Sequence, residues 1–117
     1  MTAFVTFQQV PTKNIGSTPT LIFGAVHDCI LGSVLVSNQV KNTVLFSCYL
    51  LREEGTPTPS EAVEYPIILN RPLEETIILK EFQEMILNAG DTLYAYTDYS
   101  ENLVNTFVSY EGLPSSL

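Results

Sequence analysis

The sequence predicts an all-β fold: a single-domain, antiparallel β-sandwich of about eight short strands, jelly-roll-like in character. Three observations carry this. Turn-forming residues punctuate the chain at short intervals, from Pro11, Gly16 and Pro19 through Gly24, Asn38 to Asn42, Gly55 to Ser60, Asn70-Arg71-Pro72 and Asn88 to Asp91, to Gly112-Leu113-Pro114. The stretches between them are rich in Val, Ile, Leu, Thr, Phe and Tyr, residues that suit a pleated surface. Hydrophobic residues make up 45% of the 117 and charged residues 15%. That balance excludes a disordered chain and suits one domain with one core.

The elements follow in order. Residues 4–10 alternate apolar and polar side chains without a basic start, so the beginning reads as a strand and not as a signal peptide. Residues 1–13 are expected to form an N-terminal arm or edge strand of a domain spanning 1–117. Further strands are expected at 18–25, 29–37, 43–52, 64–69, 74–80, 91–99 and 103–111, each bounded by the turn residues above. Lys80 to Leu87 is the one helix-like stretch. No run approaches the roughly 18–20 apolar residues of a membrane-spanning helix, which implies a soluble chain made in a cytoplasm.

The strands at 29–37 and 43–52 allow a specific expectation. Paired as a hairpin around Asn38 to Asn42, they oppose Val36 to Val44, Val34 to Phe46, Gly32 to Cys48 and Ile30 to Leu50 on one core-facing side. The other side then carries Leu31, Leu35, Leu45 and Tyr49 with serines and no charge. An uncharged face is covered by a second layer of the domain or by another subunit. In this register Cys29 and Cys48 point to opposite sides and cannot form a disulfide.

Catalytic chemistry finds little to work with. His27 is the sole histidine, in Ala25-Val26-His27-Asp28-Cys29, and too few ligands accompany it for a zinc site or a cupin-type metal centre. The glutamates sit mostly at strand ends and turns, with no spacing that isolates a glycosidase pair. Nucleotide, hydrolase and calcium-loop motifs are absent from the sequence. Expected catalytic residues, metal ligands and cofactors are therefore none. Net charge is -8, from 5 Lys+Arg against 13 Asp+Glu, which disfavours direct contact with nucleic acid or an anionic membrane. Tyr94 and Tyr96 share one strand face with Thr92 and Asp98, which suits either cross-strand packing or a ligand such as a sugar ring.

Several features together resemble a group of small β-sandwich structural proteins from tailed bacteriophage particles, the head-decoration, neck and tail-associated proteins. The opening Asn14-Ile15-Gly16-Ser17-Thr18-Pro19-Thr20-Leu21-Ile22-Phe23 carries part of the likeness. The pair within Ser33 to Arg52, then Pro66-Ile67-Ile68-Leu69 and Pro72 to Ile78, carry more. The turn Leu87-Asn88-Ala89-Gly90-Asp91-Thr92-Leu93 and a terminal hairpin to Glu111 complete it. Gly90 is suited to positive φ in that turn and Asp91 to bonding backbone amides two residues on.

The resemblance implies a non-enzymatic virion protein that assembles with copies of itself, as a trimer or ring, and with other virion proteins. Leu31, Leu35, Leu45 and Tyr49, with Phe4 and Phe7 of the terminal segment, are the candidate subunit contacts. Two alternatives stand beside it: a carbohydrate- or receptor-binding module of a tail fibre using Tyr94 and Tyr96, and, more distantly, a cupin-like metal enzyme.

Overall fold

Alternation of buried and exposed side chains runs through most strands of the computed structural model, which describes residues 8–53 and 62–113. The strands are β1 (Gln8–Gln9), β2 (Lys13–Ile15), β3 (Thr20–Gly24), β4 (Cys29–Asn38) and β5 (Val44–Glu53), then β6 (Ala62–Leu73), β7 (Ile77–Ile78), β8 (Ile86–Leu87), β9 (Thr92–Thr97) and β10 (Val104–Gly112). They form two antiparallel sheets packed face to face.

Sheet A runs β1-β10-β4-β7, with β2 also pairing β10 and β8 also pairing β4; sheet B runs β3-β9-β5-β6. Because β1 and β2 share one partner, and β7 and β8 another, each pair acts as one interrupted strand. Eight strands result among the described residues. Numbered along the chain, their orders are 1-8-3-6 and 2-7-4-5, the double Greek key of a jelly roll.

This topology corrects the expected hairpin. β4 pairs with β10, β7 and β8, whereas β5 pairs with β6 and β9. The connection at 39–43 arches from one sheet to the other. Asn38 braces the arch: its Nδ2 donates to the carbonyls of Asn42 and Leu73 at 3.0 and 2.8 Å, and its Oδ1 accepts the Val40 amide at 2.7 Å. Val34, Val36, Val44, Phe46 and Leu50 are nonetheless buried, because β4 and β5 present these side chains to the shared core from opposite sheets.

A second correction lies within β4. Its buried apolar positions are Cys29 and Leu31, then Val34 and Val36. The change of phase falls at Gly32, an extra residue where Ser109 and Tyr110 of β10 oppose Ser33 and Leu31. Across from this bulge, the strand formed by β7 and β8 is interrupted. In the helix-like stretch from Lys80 to Leu87 the chain makes only a 3-10 turn over Lys80–Phe82, which drives Phe82 fully into the core. The chain rejoins β4 through the Glu84 amide to the Leu31 carbonyl, with Glu84 at φ 60.

β6 is longer than expected and runs through Pro66 and Pro72. It tolerates both prolines as an edge strand, paired on one side only. Two register shifts against β5 place Ile67 and Ile68 inward in succession and leave Asn70 at φ 51, where its amide donates to Ser47 Oγ at 2.9 Å. Cys29 and Cys48 are free thiols in different sheets, both turned into the core and not to opposite sides of one ladder.

Candidate functional site

With the interior closed by apolar side chains, what the fold offers to other molecules is its two outer faces and one end. The end gathers the turn at 88–91. Gly90 takes φ 93 there, and the Asp91 carboxylate lies almost wholly buried. Its oxygens accept Arg52 Nε at 2.9 Å, Arg52 Nη2 at 2.6 Å and the Asn88 amide at 2.8 Å. Asp91 thus bonds back into its own turn and across to β5, and not forward along β9 as the sequence suggested. Asp28 Oδ1 accepts the Ala89 amide at 2.8 Å from the opposite side.

These commitments dismantle the one histidine cluster. His27 is exposed, Asp28 holds the turn, and Cys29 is buried with its thiol pKa raised, first by burial and then by the charges of Asp91 and Asp28. Among the described residues, no group of three or more His, Cys, Asp or Glu side chains is placed to hold a metal ion.

The outer face of sheet A carries a cross-strand row. Phe107 of β10 opposes Leu35 of β4, which opposes Ile78 of β7. Phe107, in a strand paired on both sides, is 41% exposed, and Ile78, on the edge strand β7, is 51% exposed. Serines flank the row: Ser33 and Ser109 share a hydroxyl contact at 3.1 Å, and Ser109 Oγ also accepts the Ser33 amide. Towards the β1 edge the row opens into a groove of about 300 Å³ lined by Gln9, Val10, Thr12, Leu35 and Phe107, with no charged residue in its walls.

The outer face of sheet B carries the second row, Leu21, Tyr94, Tyr49 and Pro66, one residue from each strand. Tyr49 and Tyr94 stack with centroids 5.5 Å apart and planes 11° from parallel, and Tyr96 tilts against Tyr49 at 6.5 Å. Beside them a groove of about 300 Å³ runs between Tyr49 and Tyr96 on one side and Glu64, Pro66 and Leu69 on the other. The Tyr49 hydroxyl has a raised pKa, chiefly from burial and then from the Glu64 carboxylate.

The predicted contact residues therefore divide. Leu31 is fully buried, since the Gly32 bulge turns it inward, and its side chain presents no outer surface. Leu35 lies on sheet A, whereas Leu45 and Tyr49 lie on sheet B, on the opposite side of the domain. Tyr94 and Tyr96 do share a face, joined by Tyr49. Phe4 and Phe7 lie outside the described residues. Sequence reasoning missed Phe107 and Ile78. The alternation Val104, Thr106, Val108 already marks Phe107 as outward, because those three are buried on the other side.

No family model matches this chain, and no curated protein matches it. Among solved structures, one of infectious bursal disease virus, Gx strain, aligns at 14% identity with a TM-score of 0.32, covering 96% of this chain and 37% of that one. The chain spans little more than a third of the length of that neighbour.

Proposed function

We propose that this protein is a non-enzymatic structural component of a virus particle, and more narrowly of a tailed bacteriophage particle, where it assembles with copies of itself on the head, neck or tail. The observation that carries the reading is the Phe107–Leu35–Ile78 row on the outer face of sheet A, which adjoins a groove without charged walls, Glu84 and Glu111 bordering the face only beyond Ser33 and Ser109. Copies of a chain with net charge -8 repel one another. At physiological salt that repulsion is screened beyond about 8 Å, so close contact is favoured only where the facing surface carries no charge. The row supplies such a surface, and its large apolar side chains gain by leaving water.

The edges suit the task less well than the face. Pro66 and Pro72 leave the open side of β6 short of donors, which blunts strand addition there. The described part of the N-terminal segment is occupied within its own sheet, with Gln8 and Gln9 paired to Tyr110 and Ser109. Where this face packs against a different surface of the next copy, the repeated contact closes into a trimer or ring. The phage assignment rests on the motifs around Asn14 to Phe23 and Leu87 to Leu93; capsid, portal or tail genes flanking its own are the expected genomic setting.

Native mass spectrometry and binding to purified particles test the reading together. The expected result is a trimer or ring alone, or a monomer captured by particles. Phe107→Asp should abolish either outcome while leaving the thermal unfolding of the monomer close to that of the parent. A chain that stays monomeric at high concentration and also fails to bind particles overturns the proposal.

A further inference from the structure

On the side of the molecule opposite that assembly row, the sheet B groove combines two features that select a ligand class. Its walls hold the rings of Tyr49 and Tyr96 and one carboxylate, Glu64, with Pro66 directly across the strand from Tyr49. No Lys or Arg lines it. Arg52 and Arg71 are engaged elsewhere, with Asp91 and Glu81 respectively. We propose that this groove is a docking site for a basic, arginine-bearing segment of a partner protein, which lays a guanidinium on the tyrosine rings and pairs it with Glu64.

The geometry suits a guanidinium. Tyr49 is fixed by its stack on Tyr94, so its orientation is set before a ligand arrives. Tyr96 is tilted by 58° against Tyr49 and both rings line the groove, so a cation seated there lies against aromatic rings that attract it. Glu64 opposes Leu51, one step along the same face from the Tyr49–Pro66 pair, and its side chain lines the same groove as the two rings. A planar guanidinium can stack on a ring and offer two parallel N–H donors to a carboxylate, whereas an ammonium offers a point charge. The excess of 13 acidic over 5 basic residues adds long-range attraction for a basic partner.

A sugar is less well served by the same walls. Sugar recognition needs several free polar groups to match ring hydroxyls, and Ser47 is already spent: its Oγ accepts the Asn70 amide and donates to Asn70 Oδ1, with the residue 2% exposed. The proposal does not depend on the virion assignment, because it concerns a different face and a different readout.

Fluorescence anisotropy with the full chain tests it, using labelled Gly/Ser peptides that carry two arginines, two lysines or two citrullines. The arginine peptide should bind saturably and more tightly than the lysine peptide, and the neutral citrulline peptide should not bind. Glu64→Gln and Tyr96→Ala should each weaken binding about 5- to 30-fold, and Tyr96→Phe should keep it. Glu75→Gln removes the same charge outside the groove and should change affinity less than about twofold. Glu64 is exposed, so its variant reports on binding and not on folding. Absence of arginine-peptide binding overturns the proposal. So does equal weakening by Glu64→Gln and Glu75→Gln, which marks diffuse attraction. Glycan-array binding that Tyr96→Ala abolishes, without peptide binding, overturns it in favour of a carbohydrate site.

Discussion

Replacing Asp91 by alanine should be among the most damaging single changes outside the apolar core. The Asp91 side chain is 3% exposed and that of Arg52 28%. Breaking a fully buried ion pair by removing one member costs about 3–5 kcal/mol, because the survivor is left charged and dry. Here the survivor is the more exposed partner, and Arg52 can turn part of its guanidinium to water, so that range is an upper bound. The Asn88 amide also loses its acceptor, worth about 1 kcal/mol. Together these give about 2–3 kcal/mol. In a domain whose total stability is about 5–15 kcal/mol, such a loss shifts a urea midpoint by roughly 1–2 M at unchanged slope. Asp91→Asn keeps the shape and one acceptor and should fall between parent and alanine variant. A double-mutant cycle with Arg52→Met should show a coupling of at least about 1 kcal/mol. If Asp91→Ala costs under about 0.5 kcal/mol, the pair behaves as an ordinary exposed bridge and the idea that it clamps the turn to β5 is wrong.

Two further outcomes can be checked alongside the binding and assembly experiments. Phe46, 1% exposed at the centre of sheet B's inner face, should cost about 3–5 kcal/mol on truncation to alanine; a loss under about 1 kcal/mol in urea unfolding would place it outside the core. Both cysteines should resist alkylation at pH 8 in the folded protein and react as two thiols per chain once denatured, since burial pushes the Cys48 thiol up from 9.0 to about 12. The linkage has a definite sign. The raised thiol contributes stability in full below pH 9, and that contribution is lost as the pH rises from there towards 12 while the unfolded chain ionises first. Rapid native alkylation, or stability that does not fall from Cys48 ionisation when parent and Cys48→Ala are compared above pH 9, would contradict the buried placement.

The fold class was legible because alternation and punctuation are local. Each of the segments at 18–25, 29–37, 43–52, 91–99 and 103–111 carries its own period-two pattern between its own turn residues, and each became a strand within a residue or two of the expected bounds. Pairing was not legible. β4 and β5 are consecutive, carry matching apolar sets and are joined by a short polar segment, which describes a hairpin and a sheet-to-sheet arch equally well. The difference lies in Asn38, whose side chain closes the arch by bonding Leu73, a residue far along the chain. Nor did local pattern announce that a strand could run on through Pro66 and Pro72, since that depends on β6 being an edge.

The candidate contact residues show how far one residue can move a functional reading. Strict alternation along β4 places Leu31 and Leu35 on one side, and the sequence offers nothing to contradict it, because both are leucines. Gly32 breaks the count. The bulge inserts a single residue, the phase inverts, and Leu31 and Cys29 enter the core while Leu35 stays outside. What forces the inversion is on other strands: β10 shifts register at Ser109/Tyr110, and the β7–β8 strand leaves the sheet at the same level to bury Phe82. Tyr110, turned inward opposite Leu31, packs on Phe23 at 5.0 Å, so the shift lets an aromatic from each sheet meet across the core. The outer row of sheet A then assembles from whatever remains outward, Leu35 with Phe107 and Ile78. The row is thus a consequence of the bulge and of strands distant in sequence: alternation along β10 marks Phe107 as outward, but only the pairing of β10, β4 and β7 sets it beside Leu35 and Ile78.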